Sequence, residues 1–288
     1  MARIALLRPI QNAGFQGRLN QARTLYPVQA ALVMPQQRTG LQMSGQGDRW
    51  NVSHEGIAYQ LPARADIAYD ACMPSPHLTI DFVSDISCPW CAVGLSALNL
   101  ALAQVQPDIT ASVRFQPFEL NPQMGPGGQD IGEHLTQKYG SSPEQQAQIR
   151  ETIRQRGAAV GFTFHADGRG RIYNTFHAHR LLHWAGEEHP AQQAALKLAL
   201  LQACHTDRQA MDDPEVLVAA VAAAGLDEAQ AREILASDAF TQAVREREAM
   251  YLNAGVHAVP AVVINQRHLI AGGQPVEVYV KVIRDLAA

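Results

Sequence analysis

Regular alternation of apolar and polar positions begins abruptly at residue 77. In His77-Leu78-Thr79-Ile80-Asp81-Phe82-Val83, three large apolar residues alternate with Thr79 and Asp81, which is the period of a strand. Ser84-Asp85-Ile86-Ser87 reads as a turn. Cys88-Pro89-Trp90-Cys91 then opens a helical run to Ala103 that carries Val93, Leu95, Leu98, Leu100 and Leu102. A second strand spans 111–118, with Val113, Phe115 and Pro117 on alternate positions. From residue 121 to about residue 236 the period is mainly helical. Ser142-Pro143-Glu144 and Asp213-Pro214-Glu215 are helix starts, a capping side chain followed by Pro at the first helical position. Asp227 starts another helix, and 174–188, 191–203 and 239–254 read as three more. Ala261-Val262-Val263-Ile264 is a strand, Asn265-Gln266 a turn, and 267–271 the partner strand. Gly272-Gly273 ends it, and 275–287 is a terminal helix.

This order predicts an α/β fold: a small sheet domain, 76–120 and 237–288, with an all-helical domain, 121–236, inserted between its halves. Residues 1–75 show neither period and are rich in Gln, Arg, Gly and Pro. The expectation is a poorly ordered N-terminal extension, or a natural start at Met73 that makes the preceding stretch a mis-assigned one.

Composition narrows the function. Of 288 residues, 47% are apolar and 17% charged, which suits a soluble globular chain. A net charge of -4 gives no basic footprint, so no nucleic-acid partner is expected. No run reaches the roughly 18 apolar residues of a spanning helix, so no membrane partner is expected. Near the start, Ile4 to Leu7 is cut short by Arg8 and Pro9, which is no secretory signal. The expected location is the cytoplasm. Four cysteines are too few for a disulfide-stapled scaffold, and a paired-cysteine motif in that compartment points to redox chemistry or metal binding.

The pair Cys88 and Cys91 follows a strand and opens a helix. A thiolate at Cys88 would sit at the helix N-terminus, where free N–H groups and the dipole favour an anion. Pro89 suits the first turn because the donor it lacks has no intrahelical partner there. Cys91, three residues on, shares the helix face and can close a disulfide with Cys88. Cys88 would attack a substrate disulfide and Cys91 would resolve the mixed disulfide. Zinc would need two further ligands, and no second paired cysteine follows; no metal is expected. Val259-Pro260, just before the strand at Ala261, reads from the residues alone as an ordinary trans turn.

An ordered set of segments resembles a known family. It comprises Asp81-Phe82-Val83-Ser84-Asp85 before the paired cysteines, Phe118-Glu119-Leu120-Asn121-Pro122, Asn174-Thr175-Phe176 with Ala178-His179-Arg180-Leu181, Asp213-Pro214-Glu215-Val216-Leu217, Gly255-Val256 with Val259-Pro260, and Gly273-Gln274-Pro275. From His77 to its end the chain resembles the DsbA-like thioredoxin-fold family, and within it the FrnE-type dithiol–disulfide isomerases. The resemblance implies a thioredoxin-like fold with a helical insert, Cys88 as nucleophile, Cys91 as resolving cysteine, and a cis Pro260 opposite the pair. It implies a substrate groove touched by Pro89, Trp90, Val259 and Pro260, with Asn174 and His179 along it. The partners implied are protein or small-molecule thiols and disulfides. No cofactor is implied beyond the dithiol itself, glutathione being the one candidate. Ala92 and Ala258 depart from the family pattern, which often has a bulky residue and a Gly there. The kappa-class glutathione transferases and hydroxychromene-carboxylate isomerases look similar, but typically carry Ser at the first active-site position. A glutathione-dependent isomerase or transferase is therefore the alternative. The oligomeric state is left open, a dimer included.

Other candidates read as structural. His179 and His183 are four apart, but Arg180 stands where a metalloprotease helix has Glu. Arg114 and Glu119 read as a solvated strand face, Cys204 as a buried thiol, and the apolar stripe at 196–201 as core. Cys72 falls in the irregular N-terminal segment.

Overall fold

A computed structural model describes residues 8–9 and 75–288. The readings of residues 1–75, Cys72 and Met73 among them, lie outside the described residues except at Arg8, Pro9 and Ser75.

Five strands form a mixed sheet: β1 (Arg8–Pro9), β2 (His77–Ser84), β3 (Thr110–Pro117), β6 (Ala261–Ile264) and β7 (His268–Ala271). Their spatial order is β1-β7-β6-β2-β3. β2 lies parallel to β3 with Phe82 beside Phe115, and antiparallel to β6 with Phe82 beside Val262. Arg8 and Pro9 pair with Leu269 and His268 at the edge, where a proline removes no needed donor.

Alternation sorts β2 between two cores. Leu78, Ile80 and Phe82 face α1 (Pro89–Val105) and α9 (Val276–Ala287), packing with Leu95, Leu98, Tyr279, Val282 and Ile283. Val83 faces the other way, toward Phe118, Val263 and Tyr251 of α8 (Thr241–Asn253). β6 is buried at all four positions, as expected of a strand covered on both faces.

The helical segment contains α2 (Ile131–Tyr139), α3 (Pro143–Ala159), α4 (Phe176–Glu188), α5 (Gln193–His205), α6 (Pro214–Ala223) and α7 (Glu228–Leu235). The helix starts form as their capping residues require. Ser142 and Gln145 make a reciprocal capping box, and Asp213 and Asp227 accept from the first-turn amides. Two two-residue strands, β4 (Gln129–Asp130) before α2 and β5 (Arg171–Ile172) after α3, pair antiparallel. Strands that short leave no periodic signal. A third core joins Trp184, Leu196, Leu200, Leu217, Val221 and Ile234.

The helical segment is stitched to the sheet. Gln193 of α5 accepts from the Phe115 amide at 3.1 Å and donates to the Phe115 carbonyl at 3.2 Å, completing the open edge of β3. Leu201 of α5 enters the sheet core, and Ile86 of the loop after β2 enters the helical core. The residues from Ser75 onward form one compact unit.

Candidate active site

Cys88 caps α1 with extended backbone, and Pro89 takes the first helical position. The turn before it is closed by the Cys88 amide donating to the Asp85 carbonyl at 3.3 Å, and the Cys91 amide donates to the Cys88 carbonyl at 3.0 Å. Both cysteines are free thiols. Cys88 is 4% exposed and Cys91 fully buried. Cys91 hydrogen-bonds the Cys88 sulfur, which lowers the Cys88 pKa despite burial; the Cys91 amide and Arg169 act the same way, and Asp85 opposes them. Burial, then the neighbouring Cys88, pushes the Cys91 thiol well above its ordinary range. The asymmetry gives one more acidic thiol that keeps a small exposed area and one sealed, reluctant one.

Val259 and Pro260 stand opposite, and the peptide bond between them is cis, as the resemblance implied and the residues alone did not. The Cys88 sulfur lies 3.8 Å from the Val259 carbonyl. Pro260 packs on Gly94 of α1, where a Cβ would meet the proline ring at 3.1 Å and the Gly273 Cα at 3.2 Å. Trp90 is half-buried against the sheet core.

The loop carrying Cys88 is gripped by polar groups. Asp85 is fully buried. It accepts from the Ser87 amide at 3.0 Å and hydroxyl at 2.9 Å, the Leu120 amide at 2.7 Å and the Thr175 hydroxyl at 2.8 Å. Burial would raise its carboxyl; His179 at 3.6 Å and these donors outweigh that, holding it well below the ordinary aspartate range. Arg169 donates to the Ser87 carbonyl at 2.5 Å, and a His205 ring nitrogen lies 2.9 Å from the Ile86 carbonyl.

A family model described as a DSBA-like thioredoxin domain matches residues 79–284. The chain belongs to the DSBA-like thioredoxin domain family. Its fold is therefore thioredoxin-like with a helical insertion, as expected. A probable DsbA oxidoreductase from Streptomyces coelicolor is 32% identical over 73% of this chain and 89% of its own, with a TM-score of 0.65. A 2-hydroxychromene-2-carboxylate isomerase shares the fold at 19% identity, 72% and 95% coverage and a TM-score of 0.54. So does the cytosolic disulfide reductase DsbM from Pseudomonas aeruginosa, solved with GSH, at 16% identity, 73% and 100% coverage and a TM-score of 0.51. Among curated proteins, none matches significantly.

One expected groove residue of this DSBA-like chain is placed otherwise. His179 is 2% exposed and faces Asp85 from α4; it is sealed behind the loop, out of reach of a bound substrate. Asn174 accepts from the Phe176 amide at 2.9 Å and so shapes the start of α4. The other histidines are dispersed, His177 against Arg180 and His183 against Phe240. Glu119, read as part of a solvated strand face, is buried as a side chain and ion-paired with Arg245, while Arg114 is exposed. Cys204 is buried, and burial raises its pKa. The reading missed Asp85, Arg169, Thr175, Lys197 and His205 as parts of the site. For Lys197 a signal existed: a lone charge inside an apolar helical run.

Among the described residues no helix is long and apolar enough to cross a membrane.

Proposed function

We propose that this chain is a FrnE-type thiol–disulfide oxidoreductase or isomerase that works through the Cys88-Pro89-Trp90-Cys91 dithiol. The observation that carries the reading is the unequal pair: Cys88 at a helix N-terminus with a lowered pKa, beside a fully buried Cys91. The Cys88 thiolate attacks one sulfur of a substrate disulfide. A mixed disulfide forms and the first substrate thiol leaves. Cys91 then attacks the Cys88 sulfur, closing the internal disulfide and releasing the second thiol. Protein or small-molecule disulfides are the substrates, and Pro89, Trp90, Val259 and Pro260 surround the attacking sulfur. The Val259 carbonyl near Cys88 supports this groove. We place the activity in the cytoplasm, where glutathione and thioredoxin systems keep a dithiol reduced.

The test is mass mapping of thiols across a glutathione redox series. A two-electron Cys88–Cys91 transition between roughly -120 and -270 mV is expected, its position separating oxidant from reductant. Cys91→Ser should accumulate the mixed disulfide and Cys88→Ser should abolish exchange; exchange retained by Cys88→Ser sinks the reading. The second reading is a glutathione-dependent isomerase or transferase, favoured by the fold shared with a 2-hydroxychromene-2-carboxylate isomerase. It requires glutathione binding and a turnover that survives loss of Cys91.

A further inference from the structure

Lys197 is fully buried, and its Nζ has no hydrogen-bond partner. An ammonium in such a place is costly unless its surroundings use the charge. Its position is set by α5. Leu201, one turn further on the same face, packs in the core that holds Cys88 and Cys91. His205, two turns on, reaches the Ile86 carbonyl. The face of α5 bearing Lys197 is thus laid against the loop that carries the cysteine pair.

We propose that Lys197 is the proton acceptor that readies Cys91 for the resolving step. This rests on the dithiol reading above. Cys91 must lose its proton inside a dry site, and burial opposes the free thiolate. Asp85 is a poor acceptor, because both its oxygens are already taken by donors. A neutral Lys197 amine takes the Cys91 proton and becomes an ammonium. The Cys91 thiolate attacks the Cys88 sulfur of the mixed disulfide, the Cys88–substrate bond breaks, and the substrate thiolate leaves and is protonated by water. The substrate disulfide gains two electrons and the cysteine pair loses them. Proton transfer within the Lys197–Cys91 pair leaves its net charge unchanged, so no uncompensated charge is created at depth.

The groups that act on Lys197 are Cys88, Cys91 and Asp85 from the loop and α1, and Cys204 from α5 itself. His205 of α5 feels the same lysine, His179 of α4 reaches Asp85 instead, and Arg169 faces Cys204. Burial lowers the Lys197 pKa and the surrounding thiols and carboxylate pull it back, leaving it at about 8.

The experiment uses the full chain with Cys72→Ser, reduced and mixed with 5,5′-dithiobis(2-nitrobenzoate). The first phase of chromophore release reports attack by Cys88, and the second reports resolution by Cys91. The parent's second phase should rise with pH and level off above about 8. Lys197→Met should slow the second phase about a hundredfold at neutral pH and remove the levelling at about 8, because Cys91 must then lose its proton unaided from a raised pKa; the first phase should slow far less. Lys197→Arg keeps the charge but cannot give up its proton, so it should be slow as well. A second phase at the parental rate in either variant overturns the proposal. So does a parent whose second phase is flat from about pH 6 to about pH 9, a result that needs no variant to fold. A missing first phase instead overturns the dithiol reading.

Discussion

Replacing Asp85 by Asn separates what the buried carboxylate does for the fold from what it does to Cys88. The amide keeps one acceptor oxygen and puts an NH2 in place of the other. With the NH2 at Oδ2, the Ser87 hydroxyl can turn and accept, but the Leu120 amide at 2.7 Å is left facing a donor. With the NH2 at Oδ1, the Thr175 hydroxyl can turn, but the Ser87 amide at 3.0 Å is orphaned. Either way one backbone donor loses its partner, at about 1–3 kcal/mol, and the two surviving bonds lose charge assistance, about 1 kcal/mol each. Relief from burying a charge offsets part of this, so a net loss of about 3 kcal/mol is expected. The sign with pH follows from the depressed carboxyl. Its contribution is full above the ordinary aspartate range and is lost as pH falls through the folded value. The gap between parent and variant should therefore narrow in acid. Asp85 also raises the Cys88 pKa, so the variant's Cys88 should be more acidic although the protein is less stable. Urea unfolding measures the first effect as a lowered midpoint at constant m, and alkylation rate against pH measures the second. A variant within about 0.5 kcal/mol of the parent, with Cys88 reactivity unmoved, would refute the reasoning.

Three further perturbations test other parts of the site. Gly94→Ala puts a methyl 3.1 Å from the Pro260 ring and 3.2 Å from the Gly273 backbone. Overpacking should outweigh the gain in helix propensity and cost about 1 kcal/mol, with slower exchange; a raised melting temperature contradicts this. Gln193→Leu strips the Phe115 amide and carbonyl of their side-chain partners and should cost about 2 kcal/mol; unchanged hydrogen exchange at the Phe115 amide would rule it out. Arg245→Gln leaves Glu119 and Glu248 without the cation between them. Burial, then Glu119, already raises the Glu248 carboxyl, so its contribution is full in acid and is lost as pH rises through the folded value. Melts across pH should show the variant falling further behind toward neutrality, and a pH-independent gap would sink the idea.

The parts legible in the sequence were those whose cause is local. β2 declared itself by alternation at Leu78, Ile80 and Phe82, and the helix starts at Ser142, Asp213 and Asp227 by capping side chains that now accept from the expected amides. The cysteine pair at the head of α1 was equally local. What stayed hidden depends on partners far away in sequence. Asp85 looked like one polar residue of a turn, because its cost and its purpose are settled by Leu120, Thr175 and His179, the last two some ninety residues on. The family pattern puts His179 along the groove beside Asn174, and only tertiary packing turns it inward to Asp85. Lys197 disappears into an apolar stripe, since a helical period counts its leucines and passes over the one residue that breaks it. These cases share a direction. Arg169, Thr175, His179, Lys197 and His205 all come from the helical segment, and all act on the loop or the pair. The sheet and α1 bring Cys88, Cys91 and Pro260 together, as a thioredoxin-like core does. The inserted helices set the charge and proton affinity around them, so variation in the redox behaviour of this chain should map to α4, α5 and the loop before β5 more than to the sheet.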